Sequence, residues 1–169
     1  MNQRYENPYP SDQLESQYPF SRYQYERLDE KNMLDRAKGF FNEMDKRRSI
    51  RMFSSEPVPQ KLIELAVKTA STAPSGAHKQ PWSFVATQDP EIKSAIRVAA
   101  EKEEKKNYLE NRMNQEWQEA LAPLGTDHHK EFLEIAPWIV VLFEQRYEIL
   151  PNGDSRKNYY VKESVGTAA

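Results

Sequence analysis

Three short segments carry the side chains best suited to chemistry. In Lys46-Arg47-Arg48-Ser49-Ile50-Arg51, an extended backbone would bring Arg47, Ser49 and Arg51 onto one side, because alternate residues of such a segment share a face. Two guanidinium forks and a hydroxyl match the oxygens of a phosphate monoester. A solvated basic loop is the alternative reading. In Ala73-Pro74-Ser75-Gly76-Ala77-His78, successive small residues let the backbone approach a flat ligand and offer N–H groups to ring heteroatoms. Gly76 adds conformations that other residues resist. An ordinary helix-to-strand turn would look the same. The third segment is charged, and there Glu104 and Tyr108 stand four positions apart, one helical turn along one face. A carboxylate and a phenol so placed can grip a small zwitterion if a cation lies nearby; a solvated helix face is the plainer reading. His78 stands alone, and His128-His129 has no metal-ligand spacing. No calcium motif, Ser/His/Asp arrangement or Walker glycine loop is present, and no residue is assigned a catalytic role of its own.

These segments need elements to hold them. Met33, Ala37, Phe40, Phe41 and Met44 recur at helical spacing, and Lys46 to Phe53 interrupts that stripe. A second helix is expected from about Pro59 to Ala70, with Pro59 suited to its first turn. The small-residue loop Ser71 to Gln80 then leads to a strand, Trp82 to Thr87. Asp89 and Pro90 read as the N-cap and first residue of a long charged helix, broken around Asn107 to Asn114. Pro123 and Gly125 mark a turn, and a helix from Asp127 to Ile135 stops before Pro137. Trp138 to Phe143 is apolar on both faces and predicts a central strand. A loop at Pro151 to Gly153 precedes a last helix that starts near Asn158 and is still running at Ala169. Two strands make a poor sheet, and the chain stops among small helix-favouring residues, so a C-terminally truncated chain is expected.

Residues 1–29 differ from the rest. They hold Pro8, Pro10, Pro19 and the tyrosines 5, 9, 18, 23 and 25, with almost no aliphatic side chains. Such a segment buries too little apolar surface to offset its ordering entropy and reads as an extended or disordered arm. Residues 30–169 then form one domain. Of the 169 residues 38% are hydrophobic and 30% charged, which leaves a thin core, and the net charge of -2 provides no basic field for nucleic acid. The absence of cysteine excludes disulfides, thiolate metal sites and a Cys nucleophile. No stretch approaches the ~20 apolar residues that span a bilayer, and no signal peptide is visible. A soluble, cytoplasmic protein is expected; a membrane-anchored form requires an upstream anchor that this sequence does not contain.

Taken in order, RRSIRMF, APSGAHKQPWSFV, the charged helix with its NY, and KEFLEIAPW resemble the flavin-dependent nitroreductase superfamily from about Arg47 onward. His78 stands where ordinary members carry Asn, and PSGAH favours the deiodinase branch. The resemblance implies an α+β, three-layer α/β/α FMN-dependent nitroreductase-like fold, incomplete at its C-terminus. It places Arg47, Arg48, Ser49 and Arg51 on the FMN phosphate and ribityl chain, and Ser75 and Gly76 also on FMN. Ala77, Glu104, Tyr108 and Lys130 then fall on the substrate, with Lys130 supplying the cation that Glu104 and Tyr108 lack. The implied activity is FMN-dependent reductive dehalogenation of halotyrosines, iodotyrosine giving tyrosine and iodide. The flavin would be recharged ultimately from NADPH through a reducing partner, and the protein would be a homodimer. A general flavin nitro- or quinone reductase is the alternative, as is a non-catalytic truncated isoform that needs a full-length partner. The family's N5-contacting Thr segment and its last FMN-binding Arg have no counterpart in this sequence.

Overall fold

The computed structural model describes residues 26–110 and 112–169. The proposed arm therefore lies almost wholly outside the described residues. The chain divides into two compact units, residues 1–49 and 50–169.

In the first unit, helix α1 spans Glu30–Asp45. Asp29 caps it, accepting the Asn32 backbone N–H at 2.8 Å and the Asn32 side-chain amide at 2.7 Å. The cap satisfies a donor that has no partner inside the helix. The expected apolar stripe is present but uncovered among the described residues: Phe40 is 70% exposed and Phe41 64%.

The second unit is mixed α and β. Helix α2, Gln60–Ala70, begins one residue after Pro59, which sits at the cap position instead of inside the first turn. A single 3-10 turn, Gly76–His78, interrupts the loop that leads to strand β1, Trp82–Thr87. Helix α3 spans Pro90–Tyr108, and its cap Asp89 accepts the N–H groups of Glu91 and Ile92 at 2.8 and 3.1 Å. After the expected break, Asn114 caps α4, Gln115–Leu121, by accepting the Trp117 N–H. A 3-10 turn at Ala122–Leu124 ends on Gly125, whose φ of 59° lies in the left-handed region.

Helix α5 covers only Phe132–Ile135, so the helix expected from Asp127 begins five residues late. The Asp127 carboxylate accepts both the backbone N–H and the ring N–H of His129, at 2.9 and 3.0 Å. That local bonding competes with helix formation.

Strand β2, Ile139–Glu144, pairs antiparallel with β1, from Trp82 opposite Glu144 to Thr87 opposite Ile139. Among the described residues β2 has no second partner, so the expected central strand has one open edge. Phe84, Val140 and Leu142 share one sheet face, and α2 flanks it through Ile63, Ala66, Val67 and Ala70. Pro81, Trp82, Met113 and Ala168 are the most deeply buried apolar residues, which is the thin core the composition implied.

A second hairpin, β3 Tyr147–Ile149 with β4 Ser155–Lys157, flanks the Pro151–Gly153 turn. Only its turn was legible, because three-residue strands are too short to show alternation. Helix α6 spans Val161–Ala168 and starts later than Asn158, since Tyr160 is left-handed at φ 53°. Asn158 is instead buried, donating its side-chain amide to the Gln145 carbonyl at 2.9 Å.

Candidate functional site

One face of α3 is polar along most of its length. Arg97, Glu101, Glu104 and Tyr108 recur at spacings of four, three and four, so they line up above one another. The segment 126–134 lies against this face. Lys130 reaches Glu104, with Nζ 3.8 Å from Oε2, and its ammonium stands 5.8 Å from the centre of the Tyr108 ring. The three residues thus converge, a carboxylate, a phenol and an ammonium around one small region. Lys130 is largely covered, its side chain 16% exposed, and Glu104 is 33% exposed.

Backbone geometry explains how Lys130 arrives there. Gly125 turns the chain, the Asp127 carboxylate fixes the next turn, and the Lys130 ammonium donates to the Asp127 carbonyl at 2.5 Å. The Lys130 N–H donates to Glu101 Oε1 at 2.9 Å, which ties the loop to α3. Tyr108 donates its hydroxyl to Thr126 Oγ1 at 3.0 Å. A small cavity of about 190 Å³ adjoins this pair, lined by Tyr108, Met113, Gln118, Leu121, Ala122 and Thr126.

Charge is organised around the same segment. The bond from Arg97, then that from the Lys130 N–H, hold the Glu101 carboxyl below the usual range, and Glu101 in turn raises Arg97. The Asp127 carboxylate bonded to His129 raises that imidazole above its ordinary value, and His129 lowers Asp127. Farther out, Lys106 and then Arg112 draw Glu103 down to about 2.

The loop before β1 is held from two sides. Ser75 Oγ accepts the Gln80 N–H at 2.8 Å, and the Gly76 N–H donates to Ser164 Oγ at 3.3 Å. A Cβ on Gly76 would stand 2.9 Å from Tyr160 Cδ2 and 3.1 Å from its Cβ, so the close approach made here is to the residue that starts α6. Ala77, His78 and Gln80 all have φ between 45° and 54°. Ala77 and His78 are exposed. Lys79 is pinned by Glu148 of β3 at 2.9 Å, and that bond leads the causes lowering the Glu148 carboxyl.

Arg47, Arg48 and Ser49 end the first unit, and Arg51 follows at the start of the second. All four are exposed, and among the described residues no carboxylate pairs with any of the three guanidinium groups. Arg48 instead donates to the carbonyls of Asp45 and Arg47, at 2.5 and 2.7 Å.

Sequence reasoning singled out Glu104 and Tyr108 but passed over Arg97 and Glu101 on the same face, and Thr126 and Asp127 opposite. The helical spacing alone would have found the first two.

The polar cluster on one face of α3 sits within a mixed α and β fold that known proteins share. A model of the nitroreductase family matches residues 44–169. The chain belongs to the nitroreductase family. It is 53% identical over 150 residues to an iodotyrosine deiodinase of Haliscomenobacter hydrossis, covering 89% of this chain and 66% of the relative. An iodotyrosine deiodinase of Danio rerio is 44% identical over 147 residues, 87% of this chain and 48% of that one. A crystal structure of oxidized iodotyrosine deiodinase bound to FMN and 3-iodo-L-tyrosine superposes with a TM-score of 0.65 at 29% identity, over 76% of this chain and 63% of that one. The chain thus spans about half to two thirds of the length of these relatives. The nitroreductase-like α+β fold agrees with the resemblance read from the sequence. Among the described residues no helix is long and apolar enough to cross a membrane.

Proposed function

We propose that this chain carries the FMN- and halotyrosine-binding site of a reductive dehalogenase, which converts iodotyrosine to tyrosine and iodide. The observation that carries this reading is the convergence of Glu104, Tyr108 and Lys130. A halotyrosine presents an ammonium and a carboxylate on one carbon, and a facing carboxylate and ammonium match that pair charge for charge. Glu104 takes the substrate ammonium, Lys130 its carboxylate, and Tyr108 adds a hydrogen bond once its hydroxyl leaves Thr126. Ala77 lines the substrate from the small-residue loop. Holding the zwitterion in this way fixes the aromatic ring in place.

The donor set suits a flavin mononucleotide. Three exposed guanidinium groups, of Arg47, Arg48 and Arg51, and the Ser49 hydroxyl provide what a phosphate monoester needs. Ser75, which accepts the Gln80 N–H, keeps its hydroxyl proton for a ligand acceptor, and Gly76 lies beside it. FMN in its reduced form would supply two electrons which, together with one proton, turn the carbon–halogen bond into carbon–hydrogen and release halide. Recharging from NADPH through a reducing partner, a homodimeric state and a cytoplasmic location belong to the same reading.

The test is an absorbance titration of the chain with FMN and then 3-iodotyrosine, followed by turnover of iodotyrosine against a nitroaromatic. A flavin spectrum perturbed by the ligand and faster iodotyrosine turnover support the reading. Preference for the nitroaromatic would point to a general flavin reductase, and an unbound flavin would leave the chain without the proposed activity.

A further inference from the structure

Beside the converging set, Glu101 bonds the Lys130 backbone, and Arg97 bonds Glu101 in turn. Glu101 Oε1 accepts the Lys130 backbone N–H at 2.9 Å, and the same oxygen accepts from Arg97 Nε at 2.8 Å. Arg97 also stands 3.4 Å from Glu131 Oε1 and 3.4 Å from Glu134 Oε2. A single guanidinium therefore gathers three carboxylates, one from α3 and two from the segment that follows Lys130. Without it those carboxylates would repel one another across the seam. The contact is well shielded: the side chains of Arg97 and Glu101 are 25% and 18% exposed. Bonds between charged partners in such surroundings are stronger than those at an open surface.

We infer that Glu101, held by Arg97, is a positioning residue that fixes the backbone at Lys130 so that its ammonium faces Glu104 and Tyr108. This rests on the proposed halotyrosine site for its functional consequence, though the brace itself is independent of any ligand. Lys130 has a long flexible side chain, and anchoring its N–H and its Nζ at once, the latter to the Asp127 carbonyl, leaves it few directions in which to point. A bound carboxylate then meets an ammonium already in place, so less ordering is needed on binding.

The experiment compares Glu101→Ala and Glu101→Gln in the full chain, each alone and combined with Lys130→Met. Amide hydrogen exchange at Lys130 reads the brace, and titration of the FMN-supplemented chain with 3-iodotyrosine reads its effect. Gln keeps an oxygen that can accept the Lys130 N–H, which makes it the conservative rescue. Glu101→Ala is expected to speed Lys130 exchange and weaken 3-iodotyrosine binding, each about tenfold, the size of one charged hydrogen bond partly shielded from water. Glu101→Gln should recover most of both. In the Lys130→Met background Glu101→Ala should change binding less than about twofold, because a residue acting through Lys130 has nothing left to act on. Unchanged exchange in Glu101→Ala, or an equal loss of binding with and without Lys130, overturns the inference. If Glu101→Ala does not fold, Arg97→Lys, which keeps the cation but loses the fork, takes its place with the same expected directions. If the unaltered chain binds no 3-iodotyrosine, the functional reading falls, and exchange alone upholds or overturns the brace.

Discussion

Replacing Glu104 with Gln removes a charge and changes almost nothing else in shape. The Lys130 ammonium stands 3.8 Å from Glu104 Oε2. At that range two unit charges attract by about 4 kcal/mol in an effective dielectric of about 20. Glu104 is 33% exposed, however, and water screens such pairs to about 1 kcal/mol or less. Stability should therefore fall by no more than about 1 kcal/mol in urea unfolding. Binding should respond more. The substrate ammonium loses a bond to a charged partner, worth about 1.5–3 kcal/mol, and each 1.4 kcal/mol is tenfold in affinity. Glu104→Gln is thus expected to weaken 3-iodotyrosine binding by about ten- to a hundredfold in a flavin absorbance titration. FMN affinity should be unchanged, since Glu104 is not among the residues assigned to the cofactor. An affinity for 3-iodotyrosine within twofold of the unaltered chain would refute the assignment, and so would a matching loss of FMN binding.

Other consequences are equally direct. Gly76→Ala places a methyl 2.9 Å from Tyr160 Cδ2, against a neighbour whose own Cβ is 3.1 Å away. It should cost about 1–3 kcal/mol, read as a lowered Tm, and much of the loss should vanish in a Tyr160→Gly background, which removes both atoms. Asp89→Ala removes the acceptor for the Glu91 and Ile92 N–H groups and should cost about 1 kcal/mol in denaturant unfolding. His129 is raised by its bond to Asp127, so the contact favours the folded loop fully at pH below its ordinary value of about 6.5 and is lost as pH rises through the folded value. Its NMR titration midpoint should lie above about 6.5 and fall in Asp127→Asn; a midpoint unmoved by that substitution would count against the pairing.

How much of this was legible depended on distance along the chain. Asp89-Pro90 announced the start of α3, and the four-residue step from Glu104 to Tyr108 was readable because helical geometry fixes both from one segment. Lys130 could not be placed by periodicity. It reaches α3 through a turn made by Gly125 and Asp127, and only the resemblance to a family pointed to it. The delayed start of α5 was hidden for a similar reason, since one carboxylate bonding His129 twice outweighs an otherwise helical pattern. By sequence, Gly76 is the residue free to take an unusual backbone conformation in a loop that lets something approach closely. The left-handed angles fall on Ala77, His78 and Gln80 instead. That Tyr160 is what approaches in this structure depends on tertiary packing that no local rule reports.

Ala77, His78 and Gln80 hold left-handed backbone angles, and each carries a Cβ. Every such residue costs about 1–2 kcal/mol relative to its relaxed conformation, a cost that glycine would not incur. The loop is therefore a reserve of latent thermostability: glycine at any of the three would relieve torsional strain without moving the backbone. A thermostability screen restricted to these positions should be enriched in glycine, and Ala77, the one assigned to substrate, is where such gains should trade most directly against ligand affinity.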